Sequence, residues 1–257
     1  MGILSGRVAL VTGASSGLGE RFAITLHNSG AEVVATARRE DRLNQVVERV
    51  DSTVVPGDIA SPDHRLELAK VIEERFRRLD ILVNNAGICD DGPLEDQTLD
   101  ELSSVVQINL VAVLDLCRLV APLLFLSRHA TVINISSIYG FVASRSPMAA
   151  YNATKGALVN LTRHLATQLG SHGVRVNALA PGCFPTELTG GLADPSLIQS
   201  VEARTSLGRI PALGELDGPL LFLASDASQL RDRTYPRRGR RLDKHLSPHR
   251  KRPTNCI

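Results

Sequence analysis

In "YNATK", Tyr151 and Lys155 stand four residues apart within a stretch whose apolar residues recur every three or four positions. On the helix that this periodicity predicts, phenol and ammonium share one face, one turn apart. A phenol of pKa ~10 is a poor acid or base near neutrality. An ammonium about 4 Å away, at an effective dielectric of about 20, favours the phenolate by ~4 kcal/mol, at most roughly three pKa units. Such a pair is suited to proton transfer. Tyr-x-x-x-Lys arises by chance in many helices, so the spacing alone is weak. Ahead of it, "NISSIYG" offers hydroxyls at Ser136 and Ser137, and "QINLVAV" offers Asn109, whose bland reading is a buried amide satisfied by a neighbour.

A second constellation can hold a phosphate. "TGASSGLGE", Thr12 to Glu20, follows an apolar run and precedes a helical pattern. Gly13, Gly17 and Gly19 are spaced for a sharp turn and a close approach of backbone to a pyrophosphate, which the N–H groups and dipole of the next helix favour. The following apolar run ends in "ATARRED". An acid there would bind an adenosine ribose 2′-hydroxyl and select NAD; Ala37 occupies about that place. Arg38 and Arg39 come next, and a guanidinium fork suits a 2′-phosphate, each charge-assisted bond contributing about 1.5–3 kcal/mol. NADP is therefore the expected cofactor, with NAD the alternative. Arg38 is the favoured phosphate ligand, whereas Arg39 reads equally well as a solvated loop residue.

Positioning these groups requires a sheet with helices between its strands. Short runs rich in Val, Ile and Leu, with little strict alternation, predict strands at 7–12, 31–37, 52–57, 80–85, 130–136 and 174–180, as in a parallel sheet covered on both faces. Amphipathic stretches lie between them, among them an unbroken one from Leu99 to Phe125, and Gly30 and Gly173 sit where helices should stop. The alternation predicts an α/β doubly wound, Rossmann-like parallel sheet over residues 1–230, read as one domain.

With the glycine loop written TGxxxGxG, and NNAG, NISSIYG and YNATK following in order, the chain resembles the short-chain dehydrogenase/reductase family from about Arg7 to Leu230. It is nearest to 3-oxoacyl-carrier-protein reductases and gluconate 5-dehydrogenase-like members. The resemblance implies an oxidoreductase moving hydride between a nicotinamide and a carbon bearing oxygen, in a small-molecule ketone or secondary alcohol of 3-oxoacyl or sugar-acid type. It implies that Ser137 orients the reacting oxygen, with Ser136 the lesser candidate, and that Tyr151 exchanges its proton. Lys155 would hold ribose hydroxyls and lower the Tyr151 pKa, and Asn109 would hold a water relay to Lys155. Ser137 lies 14 residues before Tyr151 where many members have 13, so the intervening loop is expected to carry one extra residue. Toward the cofactor the resemblance adds Ser15, Ser16 and Leu18 of the glycine loop, and Asp58 and Ile59 beside adenine. It also adds Asn85, Ala86 and Gly87 of "NNAG", and Pro181, Gly182 and Thr186 of "APGCFPTEL". Residues 187 to about 210 fall in the substrate-covering region and show no cluster of substrate-reading charges. Two readings compete with it: a protein that holds NADP(H) with little or no turnover, against which the intact Ser137, Tyr151 and Lys155 argue, and a truncated or frameshifted copy of such an enzyme with low activity.

Composition narrows the remaining classes. No uninterrupted apolar run approaches the ~18 residues of a membrane span, and "MGILSGRVALVTG" reads as a first strand rather than a leader, so a cytoplasmic place and no membrane partner are expected. Four scattered cysteines and seven histidines show no ligand spacing, so no metal is expected. Residues 231–257 depart from all this: ten Lys or Arg against two Asp, leaving 19 basic and 25 acidic residues in the first 230. Charge alone would suit a nucleic-acid arm, but a single aromatic, Tyr235, and no binding module accompany it. Family members continue instead with a last strand like "VTGQTLVVDGG" that contributes to the oligomer. One coding of "RDRTYPRRGRRLD", read one base later, gives "VTGPTLVVDGGW", with Pro where Gln is usual. A tail without structure, produced by a shifted frame, is thus the expectation for 231–257, and a homo-oligomer is expected where that strand is intact.

Overall fold

The computed structural model describes residues 2–49, 52–90 and 92–229. The strands are β1 (Val8–Thr12), β2 (Glu32–Thr36), β3 (Thr53–Val54), β4 (Ile81–Asn84), β5 (Thr131–Ile135) and β6 (Arg175–Leu179). They pair in parallel, in the order β3-β2-β1-β4-β5-β6. Between and after them run α1 (Gly17–Asn28), α2 (Glu40–Val47), α3 (Pro62–Phe76), α4 (Leu99–Val106), α5 (Ala112–Phe125), α6 (Ala149–Leu169), α7 (Pro195–Glu202) and α8 (Asp217–Ala224). This is the doubly wound sheet expected from the sequence.

Alternate residues along each strand serve opposite cores. Leu10, Leu82, Val132 and Val176 pack with α3, α5 and α6, while Ala9, Val33, Ile81 and Ile133 pack with α1, α2 and α8. Because both faces are buried, the strands read as continuous apolar runs, with no polar alternation to betray a solvent side. β1 pairs with β2 on one side and β4 on the other, so the winding reverses there and a crevice opens beyond their C-terminal ends. Gly30 (φ 99°) and Gly173 (φ 77°) end α1 and the turn after α6 in the left-handed region, as their positions suggested.

Three local features depart from the expected pattern. β3 is shorter than the predicted 52–57, because Pro56 offers no N–H and the edge position leaves little to pair with. The backbone still follows β2 beyond it, Val55 N donating to Ala35 O and Gly57 N to Ala37 O. The unbroken 99–125 helix is interrupted by a π turn at Gln107–Val111. By length and composition Leu99–Phe125 could cross a bilayer, yet 44% of its most apolar window is buried inside the protein. At the sheet's edge β6 pairs with β5 and with no further strand among the described residues. The basic stretch 231–257, with the shifted-frame reading of it, lies outside the described residues.

Candidate active site

The glycine loop is bolted to the end of β4. The Thr12 hydroxyl accepts from Asn85 N and Ala86 N, both at 3.0 Å, and Asn85 Nδ2 donates back to Thr12 O at 2.9 Å. A Cβ on Gly19 would stand 2.1 Å from Gly13 O, and one on Gly13 would stand 2.9 Å from the Ala86 Cα, so neither position admits a side chain. Ser16, ahead of α1, makes no side-chain capping bond; its hydroxyl accepts instead from Arg39 Nη2 at 2.8 Å. The first-turn N–H groups of α1 are thereby left to a ligand.

Arg39 is exposed, as a solvated loop residue would be, but it is engaged by its neighbours. It pairs with Glu187 at 2.7 Å and spans from the glycine loop to the segment after β6, an ion pair that holds the Glu187 carboxyl below its usual range. Arg38 is exposed and makes no hydrogen bond or ion pair among the described residues. Asp58 and Ile59 form the turn after β3, which Arg65 holds by donating to Ile59 O (2.7 Å) and Ala60 O (2.9 Å). Thr186 closes the loop from the far side, its side chain 3.2 Å from where a Gly17 Cβ would stand.

One cavity of about 480 Å³ joins these parts. It is bordered at one end by Arg38, Arg39 and Asp58, along its length by Gly13, Ser15, Leu18 and Gly87, and at the other end by Ser137, Tyr151 and Lys155, with Pro181 and Gly182 beside them. All the cofactor residues expected from the sequence border it; Asn109 does not, standing behind Gly87.

At the inner end, Ser137 leaves β5 in extended backbone and its hydroxyl is hydrogen-bonded to the Tyr151 phenol. Ser136 is excluded from that part: its Oγ donates to Lys155 O at 3.0 Å, tying β5 to α6. Asn109 lies in the π turn, where its Oδ1 accepts from Ile88 N (2.9 Å) and its Nδ2 donates to Ile88 O (2.8 Å) and Thr154 Oγ1 (3.2 Å). A Cβ on Gly87 would reach Asn109 Oδ1 at 3.2 Å and Lys155 Nζ at 3.6 Å, so "NNAG" runs between the two.

The electrostatics correct the simple phenol–ammonium reading. Burial pushes the Tyr151 phenol up, the Ser137 hydrogen bond opposing it only in part. Lys155 stands over the face of the Tyr151 ring, 5.4 Å from its centroid, and donates to Ile135 O at 2.8 Å. Desolvation brings its own pKa down to about 8. In this geometry the cost of burying a phenolate outweighs the help from an ammonium that faces the ring and not the oxygen.

One participant was missed. Asp90 is buried in the loop after β4, and its carboxylate accepts from Ala150 N (2.9 Å) and Tyr151 N (2.7 Å). It caps α6 from 60 residues away, at the residue that carries the phenol. No local pattern signals such a cap, since "CDDG" reads only as a polar turn. Among the described residues no group of three His, Cys, Asp or Glu is placed to hold a metal.

The profile of the family described as short chain dehydrogenase matches residues 7–196. The chain is 37% identical to the gluconate 5-dehydrogenase of Gluconobacter oxydans over 231 residues, 88% of this chain and 90% of that protein. It is 30% identical to the 3-oxoacyl-[acyl-carrier-protein] reductase of Thermotoga maritima, over 88% of this chain and 93% of that one. Among solved structures, a gluconate 5-dehydrogenase from Burkholderia cenocepacia in complex with NADP and tartrate superposes with a TM-score of 0.84 at 33% identity, covering 90% of this chain and 93% of that one. A sheet wound about this crevice, carrying these motifs in this order over nearly its whole length, makes the chain a member of the short-chain dehydrogenase/reductase family, NAD(P)-dependent oxidoreductases that act on CH–OH groups.

Proposed function

We propose that the chain reduces a ketone, or oxidises the matching secondary alcohol, with NADP(H) in preference to NAD(H). The observation that carries this is the contact of Ser137, Tyr151 and Lys155 at one end of a cavity whose other end presents Arg38. The fit to a dinucleotide rests on the loop itself: positions 13 and 19 exclude any side chain, and Ser16 leaves the α1 N–H groups to an anion. Ala37 removes the acid that would favour a 2′-hydroxyl, and Arg38 supplies a cation for a 2′-phosphate.

The nicotinamide supplies or accepts hydride when bound. Ser137 then hydrogen-bonds the substrate oxygen and holds it beside the phenol, from which it takes or to which it returns a proton. Burial keeps Tyr151 protonated across the neutral range, which suits it to donate in the direction of reduction. Lys155, fixed by Ile135 O, binds ribose hydroxyls and keeps positive charge under the ring. Asn109 holds the backbone at Ile88 and reaches α6 through Thr154, which supports its part in a relay behind Lys155. Tyr151→Phe should abolish NADPH oxidation while leaving NADPH affinity within about twofold. Retained turnover would sink the assignment, and saturable NADPH binding by the parent chain with no carbonyl reduced would favour a non-catalytic binding protein.

We infer also that residues 1–230 form the catalytic unit and that 231–257 are a shifted reading of a last strand. The edge position of β6 supports this. Reading the gene tests it: codons at 231–243 that do not yield "VTGPTLVVDGGW" one base later end the idea.

A further inference from the structure

The charges bordering the cavity are distributed unevenly. Arg38, Arg39, Asp58 and Glu187 all belong to the end near the glycine loop, and Lys155 is turned in to Ile135 O. Around the Tyr151 phenol stand Cys89, Tyr139 and Cys183, with Met148 and Phe184 also on the wall. Tyr139 and Met148 are shared with a second, more open groove, which continues outward along Leu94, Phe141, Val142 and Pro147. No charged side chain borders that groove among the described residues. Arg145, the one charged residue of the 139–149 loop, lines neither space. Leu94, Phe141 and Val142 are 60%, 43% and 58% exposed side by side along it, so the groove presents apolar surface that a ligand chain can cover.

We infer that the substrate is an uncharged carbonyl compound with an apolar chain, its oxygen at Ser137 and Tyr151 and its chain along the Phe141–Val142 groove. This rests on the carbonyl-reductase reading above and narrows it. A carboxylate carried into the groove would meet no cation among the described residues that border it, which disfavours a sugar acid. Chain methylenes, by contrast, exchange water for Leu94, Phe141 and Val142. Full burial of one methylene is equivalent to about fourfold in affinity, and a half-open groove delivers about twofold.

The test is the NADPH-dependent reduction of 2-butanone, 2-hexanone and 2-octanone beside 7-oxooctanoate, which matches 2-octanone in length but ends in a carboxylate, and 5-keto-D-gluconate. The inference expects kcat/KM to rise at least tenfold from 2-butanone to 2-octanone and to fall at least tenfold from 2-octanone to 7-oxooctanoate. Val142→Asp should reduce the octanone-to-butanone ratio by fivefold or more. A flat chain-length series, or carboxylates reduced as fast as the neutral ketones, overturns the inference while leaving carbonyl reduction standing. A chain that binds NADPH but reduces none of these, nor the reactive diketone 2,3-butanedione, overturns both.

Discussion

Lys155 stores a measurable cost at the residue scale. Its pKa falls from the ordinary 10.5 to about 8, so between those values the unfolded chain holds a proton that the folded chain has released. The Lys155 contribution to stability therefore rises with pH across that window and is lowest below pH 8, where the buried ammonium is charged, while the buried Cys117 thiol, pushed up to about 12, opposes it above pH 9. The full shift corresponds to something on the order of 3 kcal/mol. Urea midpoints at pH 7.5 and 9.5 should increase for the parent chain and stay nearer level for Lys155→Met; equal pH dependence in both would refute the assignment. Arg38 makes a different prediction. Exposed and without a partner among the described residues, it should be dispensable for folding, and Arg38→Ala should weaken NADPH binding tenfold or more while changing NADH binding less than twofold, as read by titration of nucleotide fluorescence. Its neighbour Arg39 answers to Glu187 and the serines of the loop, which sequence spacing could not distinguish from solvent.

Among elements, those with strong local codes were legible and those set by tertiary contact were not. The central strands and the long helices α1, α3 and α6 follow from apolar periodicity, because their burial repeats along the chain. Likewise Thr98 and Glu101 form a reciprocal capping box, and Pro62 follows a Ser61 cap, so α4 and α3 begin where local chemistry says they should. The π turn at Gln107–Val111 has no such code: its apolar pattern is helical, and Asn109 meets Ile88 and Thr154 only in the folded chain. Asp90 belongs to the same class. The motif residues of the candidate site were readable because each sits at the end of a strand or on one helix face, whereas the cap that holds α6 reaches it from the loop after β4. Asp90→Ala leaves two buried N–H groups without an acceptor and should cost about 1–2 kcal/mol of stability. It should also lower kcat at least tenfold, with NADPH affinity changed little. Asp90→Asn, which keeps one acceptor oxygen, should recover part of both; full activity in the alanine variant would remove Asp90 from the site.

The molecule as a whole has two kinds of boundary. On the β3 side the sheet thins out through a short strand, which is a common way to blunt an edge. On the other side β6 is a full five-residue strand, and the sequence beyond Leu230 carries a net charge of +8 where an apolar run would be needed to extend the sheet. Replacing 231–257 with a chain ending in "VTGPTLVVDGGW" should raise the melting temperature by several degrees and shift the sedimentation profile to a larger species. An unchanged profile would leave the last-strand reading without support. The Asp90 contact has a consequence at this scale as well. The hydrogen bonds within α6 are local, whereas the contact that fixes its Tyr151 end closes a loop of 61 residues. A defined place for the phenol thus depends on a contact between distant parts of the chain and not on the helix that carries it.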